Sequence, residues 1–256
     1  MSTLLTIEGV CVQFGGVRAV DEVSFDVTQG ELLGFIGPNG AGKTTLMRVI
    51  TGLIKPTAGA VRLNGSDLGG LAIHQRVRKG LALAQQIVKP FRSFTMLDNV
   101  ALAAGHGKTR QPWRALFRYR RASEHARAQE LLTLVGIGHV AAEYPSALPL
   151  GYRKRLELAR ALALDPCLLL LDEPLAGLNK TEAAALADTI AELNRGGLAM
   201  ILIEHNLGEV LRICPRLLVQ DNGRKIGDGE TNAVMNDPRV RAAYLGTNTD
   251  ADARGV

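Results

Sequence analysis

The sequence predicts an α/β fold: a core carrying an antiparallel β subdomain and interrupted by a helical subdomain. Three observations predict it. Two nearly continuous apolar runs, "ELLGFIG" and "CLLLLDEP", each lead through a turn into a helical stretch, as buried strands of an α/β core do. Before the first of them lie alternating segments typical of half-buried antiparallel strands. Between the two, from about Thr95 to Leu164, the pattern is mainly helical.

In chain order, "TIEGVCVQF" and "VSFDVTQG" read as strands, and in the second Val23, Phe25 and Val27 alternate with Ser24, Asp26 and Thr28. "ELLGFIG" reads as a buried strand, and "TTLMRVITG" as a helix closed by Gly52. "AVRLNG" is a short strand ending in an Asn-Gly turn, and Ser66 to Gly70 reads as loop. In the helical part Ala128, Leu131, Leu132 and Val135 share a face, with Ser123 a candidate cap. The α/β alternation resumes at "CLLLLDEP", followed by a helix over 180–195 with Asn179 and Glu182 spaced as a capping pair. The strand "LAMILIEH" and the hairpin "RLLVQDNGRKIGDG" complete the pattern. One domain over 1–245 is expected, with the helical subdomain at about 95–164 and a disordered tail at 246–256.

The 256 residues carry a net charge of +5 and are 46% hydrophobic, enough apolar material for a sizeable core. A mild basic excess suits nucleotides, acidic membranes or nucleic acid without choosing among them. Cys11, Cys167 and Cys214 are far apart in apolar stretches, so buried free thiols are expected rather than a disulfide or metal set. "MSTLLTIEGV" does not read as a signal peptide, and no apolar run is long enough to span a bilayer.

Two motifs carry chemistry. "GPNGAGKTT", comprising Gly37, Pro38, Asn39, Gly40, Ala41, Gly42, Lys43, Thr44 and Thr45, matches G-x-x-x-x-G-K-[ST] between a predicted strand and a predicted helix. Such a loop wraps phosphate oxygens with backbone N–H groups, and the helix start favours an anion. Lys43 adds positive charge to the β- and γ-phosphates, and Thr44 a hydroxyl for Mg²⁺. In "LLLLDEP" an apolar strand ends in Asp172, which puts a carboxylate at the edge where open α/β sheets bind ligands. Asp172 is the second candidate for Mg²⁺. Glu173 is the candidate to orient or deprotonate a water attacking the γ-phosphate.

With these residues the chain resembles the ATP-binding subunits of ATP-binding-cassette transporters, built on a P-loop NTPase core. The resemblance covers nearly its whole length. "LPLGY" stands where that family carries a Leu-Ser-Gly-Gly-Gln signature. "LIEHN" puts His205 at the switch-histidine position, "ALAQQ" puts Gln86 in the γ-phosphate-sensing loop, and Phe14 falls where an aromatic ring stacks on adenine. "LAGLN" matches the loop after the catalytic glutamate. The resemblance implies ATP and Mg²⁺ as ligands. It makes Glu173, His205 and Gln86 catalytic, and Thr44, Gln86 and Asp172 the metal set. Gly151 would meet nucleotide in trans, held by a second subunit, with Arg153, Lys154 and Arg155 as an exposed basic surface behind it. Pro149 and Leu150 replace the usual Ser-Gly, Tyr152 the Gln, and Asn179 the usual Asp of the following loop. The lost serine hydroxyl removes one donor to γ-phosphate, so weaker nucleotide clamping is expected.

Several segments resemble the ATPases of branched-chain amino-acid importers: "FGGVRAVDEVSF", "LMRVITGLIKPTAG", "LAGLN", "IEHN" and "DPRVRAAYLG". The basic insertion Gly107 to Arg127 fits that subgroup. Related ATPases for urea uptake and lipopolysaccharide export share the Tyr-Leu-Gly ending and remain as alternatives. The implied partners are a second ATPase subunit, two permease subunits and an external solute-binding protein, with the chain on the inner face of the membrane. A cassette ATPase acting on nucleic acid or ribosomes would call for a tandem cassette, a coiled-coil insertion or a strong basic stripe. Only the arginine-rich insertion supports that reading, a solvated or membrane-facing surface explains it better, and no nucleic-acid partner is expected.

Overall fold

The inner strands of the larger sheet are apolar on both faces, because both faces are covered. The computed structural model describes residues 2–85, 90–105 and 122–245. Among these, ten strands form two sheets. The four-stranded sheet has the order β2-β1-β4-β5, from β1 (Thr3–Phe14), β2 (Val17–Thr28), β4 (Ala58–Leu63) and β5 (Ser66–Asp67), all antiparallel. The six-stranded sheet has the order β10-β9-β3-β8-β7-β6. It contains β3 (Leu32–Ile36), β6 (Leu81–Ala84), β7 (Leu168–Asp172), β8 (Ala199–Ile203) and β9 (Arg216–Asp221), paired in parallel, with β10 (Arg224–Glu230) antiparallel at one edge.

The two-residue period of the strands divides the core in two. Leu33, Phe35, Leu168, Leu170, Ile201 and Leu218 point towards the antiparallel sheet and helix α1 (Lys43–Thr51). Their neighbours Leu32, Ile36, Leu169, Leu171, Leu202 and Val219 face the opposite cluster. That cluster is closed by α3 (Met96–Ala104), α4 (Ala122–Leu134), α5 (Leu150–Leu162) and α6 (Lys180–Arg195). This two-sided burial explains why "LLLL" in β7 shows no alternation. Four short α-helices, α2 (Ile73–Arg78), α7 (Leu207–Ile213), α8 (Thr231–Asn236) and α9 (Pro238–Leu245), and two 3₁₀ turns, Gly138–Val140 and Pro145–Ala147, complete the described elements.

Most local expectations hold. Gly52 closes α1 in the left-handed conformation at φ 84°. Asn179 and Glu182 form a reciprocal capping box on α6. Asn222 and Gly223, at φ 45° and 80°, make the tight turn of the β9–β10 hairpin. Four expectations fail. Ser66–Asp67 is not loop but a two-residue strand paired to Arg62 and Leu63. Ser123 does not precede α4 as a cap; it lies within the helix and its hydroxyl donates to Glu124. Of the three thiols only Cys214 is fully buried. The exposed basic surface of Arg153, Lys154 and Arg155 is not formed. Lys154 is 6% exposed, and Arg155 spans from the Val135 carbonyl (2.7 Å) to the Thr189 hydroxyl (3.0 Å). Their aliphatic stems and charges tie α5 to its neighbours. The tail 246–256 and most of the basic insertion 107–127 lie outside the described residues.

Candidate nucleotide site

Parallel pairing delivers the C-terminal ends of four strands to one edge of the sheet. In register, Phe35 of β3 lies beside Ile203 of β8, Ile203 beside Asp172 of β7, and Leu171 beside Ala84 of β6. The residues that follow these strands therefore meet: the Gly37 loop, the Asp172-Glu173 pair, the Glu204-His205 pair and Gln85. Gln86, next along the chain, lies outside the described residues.

The loop after β3 is shaped by glycine at two points where nothing else fits. A side chain on Gly37 (φ 152°) would place Cβ 2.0 Å from the Gln220 carbonyl oxygen, and one on Gly42 (φ 99°) 2.1 Å from that of Ala19. The loop is thus pressed between β9 and β2. Its back is held by Gly223 N–H donating to the Ala41 carbonyl at 3.1 Å. Tyr244 of α9 touches Gly37; burial pushes its hydroxyl up to about 12, while the Gly37 backbone contact pulls the other way. Gly42 starts α1, and the first intrahelical bond runs from Leu46 N–H to its carbonyl at 2.9 Å. The N–H groups of Lys43, Thr44 and Thr45 precede that bond and have no helical carbonyl to reach. No acidic side chain sits in that turn to satisfy them.

Lys43 is 5% exposed, and its ammonium donates to the carbonyls of Gly37 (2.7 Å) and Pro38 (2.9 Å). Burial holds its pKa below the usual lysine range, and the charges of Glu173 and Asp172 oppose that shift. Across the loop the half-buried Asp172 is pushed upward, first by burial and next by Glu173, while Arg48, Lys154 and Lys43 pull it down. Its Oδ1 is buried with no hydrogen-bond partner. An unpaired buried carboxylate oxygen that feels the charge of Lys43, the residue before the exposed Thr44, suits a hydrated divalent cation. Among the described residues no group of three His, Cys, Asp or Glu could hold a metal. A set made of Thr44, Asp172 and Gln86 contains only one such residue.

Glu173 adopts φ 49°, left-handed for a residue with a side chain. Its N–H donates to the Ile203 carbonyl (2.9 Å), and its own carbonyl accepts from the Lys154 ammonium (2.9 Å). Its carboxylate sits 3.0 Å from His205 Nε2. Phe14, 52% exposed, closes the β1–β2 hairpin opposite Val17, two residues before the Ala19 that abuts Gly42. Gly151 is in the first turn of α5, capped by Pro149, and a Cβ there would meet Glu182 Oε1 at 3.2 Å. Gly151 is thus remote in the chain from the Lys43 loop, on the helical side of the molecule.

Sequence reasoning passed over two buried charges. Lys154 was assigned to an exposed face. Glu204, 3% exposed, is singled out by no motif in the sequence. Burial pushes the Glu204 carboxyl from 4.5 up to about 7, although it accepts backbone N–H groups from Leu175, His205 and Asn206. The folded chain then holds a proton that the unfolded chain releases between these values. Its contribution to stability is full below 4.5 and lost as pH rises through 7. Relative to Glu204→Gln, which cannot ionise, the wild type should lose about 3 kcal/mol of unfolding free energy between pH 4.5 and pH 8. Denaturant titrations of both proteins across that range measure it, and a pH-independent difference would refute it.

A glycine-rich phosphate loop opening a helix, with an acidic pair on a nearby strand of a parallel sheet, defines a P-loop nucleotide hydrolase. Comparison with known proteins narrows this. The ABC transporter family model matches residues 20–176. The high-affinity branched-chain amino acid transport ATP-binding protein LivG of Salmonella typhimurium is 37% identical over 249 residues, covering 95% of this chain and 98% of its own. The lipopolysaccharide export system ATP-binding protein LptB of Haemophilus influenzae is 33% identical, with 95% and 98% covered. The crystal structure of the ADP conformation of an ATP-binding cassette of an ABC transporter superposes with a TM-score of 0.84 at 29% identity, covering 96% of this chain and all of that one. The chain belongs to the ABC transporter family. It is an ATP-binding cassette, an ATPase, and among the described residues no helix is long and apolar enough to cross a membrane.

Proposed function

We propose that the chain powers an importer of branched-chain amino acids. Two such subunits close on ATP and reset by hydrolysing it, and permease subunits carry the solute. The chain would sit on the inner face of the membrane through those permeases, and an external binding protein would deliver solute. The substrate reading is carried by the 37% identity with the LivG protein over nearly the full length of both chains. The LptB match at 33% supports lipopolysaccharide export as a second reading. Co-purification with permeases followed by uptake of radiolabelled leucine tests the first. Transport-competent complexes that take up no leucine, isoleucine or valine would overturn it.

The mechanism we infer assigns each group by its placement. The loop from Gly37 to Thr45 holds the phosphates through its backbone N–H groups, and Phe14 stacks on the adenine. Lys43 swings its ammonium from the loop carbonyls to the β- and γ-phosphates. Thr44, Asp172 and Gln86 would hold Mg²⁺, which when bound would supply positive charge against the phosphate oxygens. Glu173 accepts the proton of the attacking water, and His205, at 3.0 Å, fixes the orientation of that carboxylate. Gly151 and the start of α5 present free N–H groups and no side chain, and would close on the γ-phosphate of a second subunit.

The last assignment predicts an asymmetric defect. Gly151→Asp should leave ATP binding to the isolated subunit within about threefold of wild type, a difference worth roughly 0.6 kcal/mol. In a dimer with one mutant subunit, turnover should be lost at the site whose Lys43 belongs to the wild-type subunit. Because Glu182 already lies beside Gly151, Gly151→Gln serves as an uncharged control for repulsion within the mutant chain. Turnover lost only at the mutant's own Lys43 site would sink the in-trans reading.

A further inference from the structure

The roles assigned above leave Glu204 unused, although it is the most completely enclosed carboxylate at the nucleotide edge of the sheet. The geometry points to Glu204 as a positioning residue for hydrolysis: it ties the turn after Glu173 to the loop that carries His205, and so sets the distance between them. This rests on the reading of Glu173 as the base.

Glu173 needs such a restraint. A side-chain-bearing residue at φ 49° is strained and persists only where neighbouring bonds over-determine it. On its N-terminal side its N–H is fixed to the Ile203 carbonyl, the residue just before Glu204. Its carbonyl is fixed by Lys154 from α5. Two residues on, Leu175 N–H donates to Glu204 Oε1 at 2.5 Å. The other oxygen, Oε2, accepts from His205 N–H at 3.2 Å, and Asn206 N–H also donates to this carboxylate. One carboxylate therefore uses one oxygen for each of two segments, and those segments carry the two members of the 3.0 Å Glu173–His205 pair.

Glu204 is no second base. At 3% exposure, with both oxygens engaged by backbone donors, it has no face for water or phosphate. It acts through Glu173 and His205. Reactions of this kind are steep in geometry: a displacement of about 1 Å at the reacting groups costs up to about a hundredfold in rate.

The experiment uses the full-length chain. Glu204→Ala and Glu204→Gln are made alone and combined with Glu173→Gln. Steady-state hydrolysis gives kcat and KM, and a fluorescent ATP analogue gives nucleotide affinity. Glu204→Ala should lower kcat at least about tenfold with affinity within about twofold of wild type. Glu204→Gln keeps one carbonyl oxygen for Leu175 N–H and should recover part of that loss. Adding Glu204→Ala to Glu173→Gln should lower the residual rate no further, since there is no base left to place. Wild-type kcat in both Glu204 variants overturns the proposal, as does a parallel loss of kcat and affinity, which marks general collapse of the site. If Glu204→Ala does not fold, Glu204→Gln decides alone: a lower kcat at unchanged affinity supports the role, and an unchanged kcat refutes it. Wild-type turnover by Glu173→Gln overturns both readings and is seen without any Glu204 variant.

Discussion

Glu173→Gln is expected to lower steady-state ATP hydrolysis by at least about a hundredfold, the contribution typical of a positioned general base, while ATP affinity stays within about twofold. The substitution is nearly isosteric, and an amide cannot take the proton of water. The bonds that hold the residue at φ 49° come from its backbone, to Ile203 and Lys154, and do not depend on the side-chain charge. Phosphate binding uses the loop from Gly37 to Thr45, which this change does not touch. ATP should then bind, close two subunits together and remain, so the variant should run as a dimer in ATP on size-exclusion chromatography and as a monomer in ADP. Lys43→Ala should do the opposite and lose ATP affinity first, because its ammonium is the buried cation of the loop. Hydrolysis by Glu173→Gln within a fewfold of wild type would show that the base lies elsewhere.

Charge removal also acts on the neighbours. Glu173 raises the pKa of Asp172 and of Glu204, and supports the charge on Lys43. Neutralising it relieves the buried Glu204 and the half-buried Asp172 and leaves Lys43 with less support. The expected net effect on stability is small. The catalytic loss therefore reports chemistry and not unfolding.

The sequence reveals the parts of this site that announce themselves by local pattern. The phosphate loop is legible because its spacing is imposed by backbone contacts: Gly37 and Gly42 face carbonyls at distances no side chain tolerates. The β7 and β8 strand ends are legible because apolar runs stop at Asp172 and Glu204. What pattern does not carry is which way a charge turns. Lys154 lies in a run of three basic residues at the start of a helix, where solvent exposure is the ordinary outcome. Only the tertiary placement of Glu173 explains its burial. Glu204 and His205 are adjacent and both polar, yet one is sealed in and the other is 43% exposed at Nε2's ring. The strand β5 is two residues long, too short for any periodicity to show. Ser123 already lies within the described part of helix α4, so its small polar side chain marks a helical position and not a cap.

Gly42→Ala is expected to weaken ATP binding at least about a hundredfold, roughly 2.7 kcal/mol, and Gly40→Ala by no more than about tenfold, roughly 1.4 kcal/mol. Both glycines are left-handed, at φ 99° and 78°, and a left-handed backbone costs an alanine about 1–2 kcal/mol at either position. They differ in surroundings. A Cβ on Gly40 meets nothing within 4 Å. A Cβ on Gly42 lies 2.1 Å from the Ala19 carbonyl oxygen and 2.7 Å from the Gln220 amide nitrogen. The first is backbone of a paired strand and cannot turn aside, so the start of α1 must move by about 1 Å. That movement carries the N–H groups of Lys43, Thr44 and Thr45 with it, and anion binding at a helix start depends on where those groups point. Gln220 could yield by rotating, but it is 1% exposed and packed under the loop. Isothermal titration of both variants with ATP, with circular dichroism to verify the fold, separates strain from collision. Equal losses at the two positions would mean that backbone strain alone governs the loop, and that its seat against β2 and β9 contributes nothing to phosphate binding.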